Sequence, residues 1–475
     1  MASMGKSRWA DSEEDAELEA KLKQEKEEKR RRKAEKAEKA RKTESDRPVA
    51  AASPLPNTNG HGDDARPPKR RRLAHEPPSS PGPPSQEEEA KLLRFESGPS
   101  WMPCRSVENY DKLNDIEEGA YGWVARGVQR ATGKVVALKR LKLTPADWSG
   151  LPVTGLREIQ ILQDCRHRNV VGLEEVVIGD DVARLDNSVF LVLEFVEHDV
   201  KGILEDMPEP FLSSEIKRLL LQLTAGVSYL HENWILHRDL KTSNLLLNNR
   251  GQLKIADFGM ARYVGDPPPP NLTQLVVTLW YRAPELLLGA RTYDSAVDMW
   301  SVGCIFGELI TREPLLQGTN EVNQISKIFE LCGMPTEETW PGFRKLPNAA
   351  SLKLPANPKN ALTTGSVIRA RFPNMTAAGA NLLNALLSLD PERRPSAKMM
   401  LQHEYFSQDP KAKPESLFPT FPSKAGQERR RRRHDEPNAP VRGEAVHMLG
   451  DVDLSGIFQG RDREERGAGF ALRMV

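Results

Sequence analysis

His237-Arg238-Asp239-Leu240-Lys241-Thr242-Ser243-Asn244 is the stretch that decides the fold of this 475-residue chain. In the HRDLKxxN pattern the aspartate accepts the proton of an attacking hydroxyl, and the asparagine five residues later binds a magnesium ion during phosphoryl transfer. A surface loop that is polar by coincidence would not need all of these residues at this spacing. We therefore predict that Asp239 and Lys241 are catalytic and that Asn244 is a metal ligand.

Two further motifs follow in the order that phosphoryl transfer requires. Asp257-Phe258-Gly259 supplies a carboxylate for a metal position between the β- and γ-phosphates of ATP. Ala283-Pro284-Glu285 then closes a segment of the length expected for an activation segment. The three motifs together predict ATP and Mg²⁺ as the cofactors, with Asp257 as the second metal ligand.

An upstream lysine and glutamate complete the predicted catalytic set. Lys139 ends the apolar run Val136-Ala137-Leu138, which has the composition of a buried strand, and Glu158 lies in a helical pattern that follows. The alternative for a Lys–Glu pair is a solvated surface bridge, but a lysine on a buried strand argues against it. We predict that Lys139 anchors the ATP phosphates and that Glu158 is its ion-pair partner.

The glycine-rich loop, Glu117-Glu118-Gly119-Ala120-Tyr121-Gly122, departs from the usual GxGxxG form because glutamate replaces the first glycine. Gly119 can still bring backbone N–H groups close to the phosphates, since it has no Cβ. Residues 127–134 resemble a phosphate loop of another nucleotide-binding class, but the spacing is one residue too long and Val135 replaces the Ser/Thr. We interpret that stretch as a hairpin turn.

The distribution of apolar residues predicts an α+β fold of two lobes. β-branched and apolar residues follow Tyr110, whereas helical spacing begins after Phe211. We predict a kinase-type domain over residues 110–406, with a small β-rich N-lobe (110–196) and a larger α-helical C-lobe (197–406). Disordered N- and C-terminal tails flank it: a charged segment with helical potential (1–46), a linker with the basic run 69–72 (47–95), and a largely disordered extension (407–475).

Composition excludes several classes of protein. Lys plus Arg number 68 against 67 Asp plus Glu, so bulk charge attracts neither nucleic acid nor membrane. The four cysteines are widely spaced, which favours free thiols over disulfides or a zinc site. We find no apolar stretch long enough to span a bilayer, and expect no membrane partner. The basic runs at 69–72 and 429–433 lack interleaved aromatics, so we expect nuclear import signals rather than direct nucleic-acid binding.

From about Tyr110 to Phe421 the chain resembles the cyclin-dependent kinases, which are CMGC serine/threonine protein kinases. Residues 150–158, Gly-Leu-Pro-Val-Thr-Gly-Leu-Arg-Glu, are similar to the PITSLRE helix of one subgroup. Residues 116–119, 233–236 and 469–472 are also similar to that subgroup. Glu117 is therefore a subgroup trait.

The resemblance implies partners and substrates that spacing does not reveal. It implies a regulatory cyclin, of the L type, that grips the helix containing Glu158. Lys241 resembles the serine/threonine pattern, and residues 278–282 look like the segment that accepts proline directly after the target residue. The subgroup implies a role in transcription and pre-mRNA processing, and the basic runs indicate a nuclear protein that is also present in the cytoplasm. A cell-cycle role remains the alternative.

The resemblance also assigns regulatory positions. It implies an activating phosphate at Thr273, where the alternative is an ordinary loop threonine, and a clasp for that phosphate formed by Arg157, Arg238 and Arg262. Tyr121 remains available for inhibitory phosphorylation, whereas Ala120 occupies the place of the threonine beside it. The implied ATP-binding positions are Ile116, Gly119, Tyr121, Gly122, Val124, Ala137, Lys139, Glu194, Val196, Asp199 and Leu246.

A catalytically inactive scaffold with the same fold is the main competing interpretation. Such a protein would lack Lys139, Asp239 or Asp257, and this chain has all three.

The stretch Gly150-Leu151-Pro152 interrupts helical structure just before the Glu158 helix. We therefore expect a helix that can shift away from the site until a partner presses on it.

Overall fold

A computed structural model describes residues 103–119, 122–141, 152–179, 189–265, 267, 269, 272–273, 276–353, 366–422 and 452–453. The predictions made for residues 1–46 and 47–95, for both basic runs and for most of 423–475 lie outside these described residues. Within them the α+β, two-lobed architecture is confirmed.

The N-lobe is built on a six-stranded sheet with the order β1-β5-β6-β4-β3-β2. Only the outer pair, β1 and β5, is parallel, and the other neighbours are antiparallel. The helix α1 (Val153–Asp164) accompanies this sheet. The strands are β1 (Arg105–Ser106), β2 (Tyr110–Gly119), β3 (Gly122–Gln129), β4 (Val135–Leu141), β5 (Leu173–Ile178) and β6 (Val189–Glu194).

Strand β4 forms because apolar and β-branched residues alternate in burial along it. Val136 and Leu138 are buried, whereas Val135 and Ala137 are half-buried. The turn between β3 and β4 has Gly133 at φ +70°, which glycine adopts at no steric cost. This confirms the hairpin interpretation of residues 127–134. Lys139 is then presented from the middle of a paired strand, at a fixed position.

The C-lobe is mainly helical, and short strands place its site residues. Its helices are α2 (Val200–Asp206), α3 (Ser213–Glu232), α4 (Pro284–Leu287), α5 (Ala296–Thr311), α6 (Glu321–Cys332), α7 (Ile368–Arg371), α8 (Ala377–Leu386), α9 (Ala397–Leu401) and α10 (Glu404–Ser407). Its strands are β7 (His198–Asp199), β8 (Ile235–Leu236), β9 (Leu245–Leu247), β10 (Leu253–Ile255), β11 (Arg262–Tyr263) and β12 (Leu352–Lys353).

The C-lobe core surrounds α5, which is apolar on nearly all sides, with Trp300 and Phe306 fully buried. Gly303 and Gly307 let neighbouring leucines approach α5 closely, since a Cβ on Gly307 would lie 2.6 Å from Leu315 Cδ2. A helix packed this tightly is a rigid support for the loops that rest on it.

The folded body extends beyond the predicted domain limits at both ends. Residues 103–109 precede the predicted start, and β1 adds an edge strand beside β5, where Arg105 pairs with Glu175. Residues 407–422 follow the predicted end and pack on the C-lobe, although the prediction assigned them to a largely disordered extension. Further on, β13 (Val452–Asp453) pairs in parallel with β12. Sequence composition hid these additions because they are short and polar.

A search of the described residues for a helix long and apolar enough to cross a bilayer finds none.

Candidate active site

The centre of the candidate site is a buried lysine between two carboxylates. Lys139 Nζ lies 2.6 Å from Glu158 Oε1 and 2.8 Å from Asp257 Oδ1. Lys139 comes from β4, Glu158 from α1, and Asp257 from the loop after β10. The predicted Lys139–Glu158 pair is therefore formed, and in this structure α1 stands in the position that forms it. The contact joins the two lobes.

The electrostatics of this cluster fix its charge state. Burial lowers the pKa of Lys139, but Asp257 and Glu158 outweigh burial and raise that pKa above its ordinary value. Burial raises the pKa of Glu158 against the opposing influence of Lys139. At Asp257 burial is outweighed by Lys139, which lowers the pKa to about 2. Lys139 is thus charged and Asp257 ionised at neutral pH, as phosphate and metal binding require.

Asp257 is held in a backbone conformation that non-glycine residues seldom adopt. Its φ is +61°, in the left-handed region. The next residue, Phe258, is fully buried, and its ring packs edge-on against the His237 ring with centroids 4.9 Å apart. Packing of Phe258 therefore holds Asp257 toward Lys139 in spite of the strain.

The predicted base, Asp239, is enclosed by hydrogen-bond donors. The Thr278 hydroxyl and backbone N–H donate to Asp239 Oδ1 at 2.9 and 3.1 Å. Lys241 Nζ lies 3.4 Å from Asp239 Oδ2 and donates to Thr278 Oγ1 at 3.2 Å. Asn244 Nδ2 donates to the Asp239 carbonyl at 2.8 Å. The three catalytic-loop residues named from sequence thus converge, and Thr278 joins them.

Asp298, which the sequence analysis did not single out, anchors the catalytic loop. It is buried in α5, and its two carboxylate oxygens accept the backbone N–H groups of His237 and Arg238 at 3.0 and 2.9 Å. Burial raises the pKa of Asp298. The hydrogen bond with His231, together with the electrostatic influence of His231 and His237, outweighs burial and lowers that pKa. A carboxylate in the first turn of a mainly apolar helix was the available signal.

The donor set fits magnesium bound together with phosphates. Asn244 uses its Nδ2 on Asp239, which leaves its amide oxygen as the ligand atom, and Asp257 adds an ionised carboxylate. Mg²⁺ is usually held by one or two carboxylates plus substrate phosphates, not by a closed protein cage. Among the described residues there is no cluster of three or more His, Cys, Asp or Glu side chains that could hold a metal ion.

The predicted ATP-binding residues fall on facing strands around this cluster. Val124 on β3 pairs with Lys139 on β4, and Asp199 on β7 pairs with Leu246 on β9. Glu194 directs its side chain to Lys254, at 2.7 Å, so only its backbone is available to a nucleotide. Tyr121, predicted both to bind ATP and to be an inhibitory phosphosite, lies outside the described residues. The other positions lie on β2 (Ile116, Gly119), β3 (Gly122), β4 (Ala137) and just after β6 (Val196).

The predicted phosphate acceptor is connected to one arginine of the predicted clasp. Thr273 is exposed, and its carbonyl accepts the Tyr293 hydroxyl at 2.7 Å. Arg238 Nη1 donates to the same hydroxyl at 2.9 Å. Sequence reasoning missed Tyr293, whose role depends on the fold. Arg157 lies half-buried on α1 and Arg262 half-buried on β11, so the three arginines come from three separate elements.

Comparison with known proteins agrees with this geometry. The protein kinase domain family matches residues 110–406. The serine/threonine-protein kinase ppk23 of Schizosaccharomyces pombe is 52% identical over 69% of this chain and 79% of its own length. Cyclin-dependent kinase G-1 of Oryza sativa subsp. indica is 47% identical over 75% of this chain and 50% of the relative.

Cyclin-dependent kinase 11B of Homo sapiens is 47% identical over 75% of this chain. The chain spans only 43% of that human protein and about half of the rice one, so it corresponds to a part of these longer relatives. The matched part includes every catalytic residue described above. The chain belongs to the protein kinase family, as a serine/threonine kinase of the cyclin-dependent, PITSLRE type.

Proposed function

We propose that this kinase transfers the γ-phosphoryl group of ATP to serine or threonine hydroxyls that are directly followed by proline. Lys139 holds the ATP phosphates, Asp239 orients the acceptor hydroxyl and takes its proton, and Asn244 and Asp257 hold Mg²⁺. The ion, when bound, neutralises charge that develops on the phosphates. Lys241 and Thr278 keep the Asp239 carboxylate aimed at the acceptor.

The observation that carries the proline preference is the backbone at Val277, next to Thr278. Val277 has φ +66°, and its carbonyl accepts hydrogen bonds from Arg282 Nε and Nη2 at 3.2 and 3.0 Å. This carbonyl is therefore committed to Arg282. A substrate residue that follows the acceptor and carries a backbone N–H would lose a hydrogen bond on binding, whereas proline has no N–H to lose.

Three peptides that differ only after the acceptor test this explanation: Ser-Pro, Ser-Ala and Ser-(N-methyl-Ala). The third also lacks the N–H group but has no ring. We expect kcat/KM for the N-methyl peptide to approach that for Ser-Pro, and Ser-Ala to be about tenfold or more lower. If the N-methyl peptide behaves like Ser-Ala, the missing N–H is not the reason, and ring shape decides instead.

We also propose that a cyclin, of the L type, binds α1. Two apolar side chains of that helix, Val153 and Leu156, are 44% and 49% exposed. They lie one turn apart and point away from the sheet, while Glu158 on the same helix points inward. Pressure on the outer face of α1 would therefore hold Glu158 against Lys139. The PITSLRE resemblance supports the choice of cyclin.

A pull-down with purified L-type cyclin tests this interface. Val153→Asp with Leu156→Asp is expected to abolish the complex, whereas Met399→Asp, at a residue 65% exposed on the C-lobe helix α9, should leave it intact. Equal retention by all variants would refute the interface. Retention of a different cyclin but not the L type would refute only the choice of cyclin.

Phosphorylation of Thr273 is proposed as a second activating input. A dianion there would draw Arg157 on α1 toward Arg238 and Arg262, which biases α1 toward the same inward position. Turnover should be measured with and without cyclin, in wild type and in Thr273→Ala. Full activity of cyclin-free Thr273→Ala would contradict both inputs.

We further propose that the kinase acts in the nucleus, and also in the cytoplasm, on proteins of transcription and pre-mRNA processing. The cell-cycle role is the second candidate. Deleting residues 1–95 should spare the catalytic rate and reduce the nuclear fraction, because the basic run 69–72 lies there. An unchanged nuclear fraction would assign import to residues 429–433. Identification of the phosphorylated nuclear proteins separates the two pathways.

A further inference from the structure

Residues 408–422, here called the C-terminal segment, lie beyond the matched kinase domain yet are fastened to it. Its first half is bound along α3. Lys217 Nζ donates to the Gln408 carbonyl at 2.8 Å, and the Lys413 N–H donates to the Ser214 carbonyl at 2.9 Å. Lys413 Nζ also lies 2.8 Å from Glu215 Oε1. These contacts start the segment on a defined path across the C-lobe.

The middle of the C-terminal segment passes over the turn between β9 and β10. Arg168 binds both carboxylate oxygens of Glu415, at 2.7 and 2.9 Å. Gly251, in the turn, has φ +76°, and a Cβ there would lie 2.6 Å from both the Glu415 carbonyl oxygen and Phe418 Cβ. Glycine is thus needed at this position for backbone conformation and for the close approach of the segment.

The end of the C-terminal segment reaches β7. Phe418 is buried against Phe211, and Phe421 packs edge-on against both Phe211 and the His198 ring, with the Phe421–His198 centroids 5.9 Å apart. The Phe421 N–H donates to Asn249 Oδ1 at 2.9 Å, and His198 Nε2 lies 3.3 Å from the same oxygen. Asn249 therefore couples the end of the segment to His198 through one acceptor atom.

His198 directly precedes Asp199, which the sequence analysis assigns to ATP binding. Asp199 caps α2 by accepting the Gly202 N–H at 2.6 Å, and it pairs with Leu246 on β9. A cavity of about 310 Å³ lies between α2 and the end of the segment, with Asp199 and Phe421 both in its wall. If the backbone at Glu194 and Val196 takes the adenine amino group, the donors that ATP still offers to a carboxylate are its ribose hydroxyls.

We propose that the C-terminal segment is a working part of the nucleotide site, in which Phe421 and Asn249 are positioning residues that set the ATP affinity. They fix the position of the His198–Asp199 strand, so that the Asp199 carboxylate can accept hydrogen bonds from the ribose hydroxyls. The proposal rests on the proposed assignment of Asp199 to ATP. It extends the functional domain past the limit of the family match.

Titration calorimetry of the purified full chain tests the proposal, with Mg²⁺ and either ATP or 2′,3′-dideoxy-ATP as the probe. Phe421→Ala and Asn249→Ala are each expected to raise the Kd for ATP about fivefold. Leu417→Ala, at a residue 64% exposed in the same segment, serves as the matched control and should bind as wild type does. Thermal unfolding of each variant, which should be near wild type for Asn249→Ala, checks that the fold is kept.

The two nucleotides separate positioning from general loosening. Dideoxy-ATP lacks the ribose hydroxyls that would donate to Asp199, so wild type should bind it more weakly than ATP. For this nucleotide, the Kd of Phe421→Ala should exceed that of wild type by less than about twofold. Wild-type ATP affinity in Phe421→Ala and Asn249→Ala, or an equal loss for both nucleotides, would overturn the proposal. Wild-type protein that binds both nucleotides equally would instead remove the Asp199 assignment, and with it the route proposed here.

Discussion

Two buried ion pairs of this kinase use the same chemistry in different mechanical settings. Lys139 joins Glu158 and Asp257 across the boundary between the lobes. Arg394 joins Glu285 inside the C-lobe, where Nη1 and Nη2 each meet one carboxylate oxygen, at 2.6 and 2.7 Å. One pair depends on a helix that has exposed apolar residues, and the other lies between fixed elements.

The partners that surround each pair explain the difference. Arg394 also donates to the carbonyls of Ser388, Leu389 and Ala296, and it lies 5.0 Å from the Trp300 ring centroid. Its donors are satisfied by backbone carbonyls within the C-lobe. Glu158 instead reaches its partner from α1, so displacement of α1 would return Glu158 to water. The Lys139–Glu158 pair can therefore form and break as α1 moves, which suits a regulated site.

The largest expected effect follows from Lys139→Met. Loss of the ammonium removes the positive charge that holds the ATP phosphates, so kcat/KM should fall about a thousandfold or more. The free energy of unfolding should change little, because α1 can carry Glu158 into solvent and the Asp257 side chain is already 25% exposed. Lys134→Met, which breaks the exposed Lys134–Glu174 pair, is the matched control and should alter neither quantity. Urea unfolding in parallel with steady-state kinetics makes the measurement.

Arg394→Met should instead lower the free energy of unfolding and leave catalysis nearly unchanged. It leaves Glu285 buried without a partner, which is expected to cost about 3–5 kcal/mol of stability. Turnover per folded molecule should stay close to wild type. The neighbouring Arg393→Met is the control, since Arg393 is exposed, lies 3.4 Å from Asp390 and donates to the Glu338 carbonyl at the surface. Urea midpoints that match between these two variants would be incompatible with a structural role for the Arg394 pair.

Asp298→Asn tests a carboxylate of the C-lobe core that holds the catalytic loop. An amide can accept one of the two loop N–H groups, and its NH₂ would face the other. We expect a loss of about 1–3 kcal/mol in stability together with a lower kcat. Asp294→Asn, at an exposed residue that accepts the Ala296 N–H, is the control. Loss of stability with unchanged kcat would show that Asp298 supports the fold alone.

The smallest expected effect belongs to Tyr293→Phe, which removes the hydroxyl between Arg238 and the Thr273 carbonyl. The change removes one hydrogen bond donated by Arg238 and one donated to the Thr273 carbonyl. A net loss of about 1 kcal/mol would lower the activity of the Thr273-phosphorylated, cyclin-bound kinase about fivefold. Kinetics of the same change in a Thr273→Ala background provide the comparison, and little further loss is expected there. An equal loss in both backgrounds would separate Tyr293 from the phosphate.

The sequence predicted the catalytic residues better than the residues that hold them in position. Asp239, Asn244, Asp257 and Lys139 could be found because fixed local spacing is imposed by the reaction itself. Asp298 and Tyr293 act through contacts about 60 and 20 residues away along the chain, and nothing in their local sequence reveals which loop they hold. Such residues become visible only when packing of α5 against the catalytic loop is known.

The domain limits show a second physical reason for missed features. The predicted domain limit at residue 406 assigned residues 407–422 to a largely disordered extension, although the family resemblance extends to about Phe421. They are held by individual ion pairs, by two phenylalanines and by the glycine turn at Gly251, rather than by an amphipathic pattern. Periodicity detects faces that bury many residues, so a segment fixed by a few specific contacts escapes it.

The most direct test replaces the acidic member of each pair by its neutral isostere, Glu158→Gln and Glu285→Gln, and measures kcat/KM and the free energy of unfolding for both. We predict that Glu158→Gln loses most of its turnover and keeps its stability, and that Glu285→Gln loses stability and keeps its turnover per folded molecule. If both variants lose turnover and stability in the same proportion, the distinction between a regulated pair and a structural pair is contradicted.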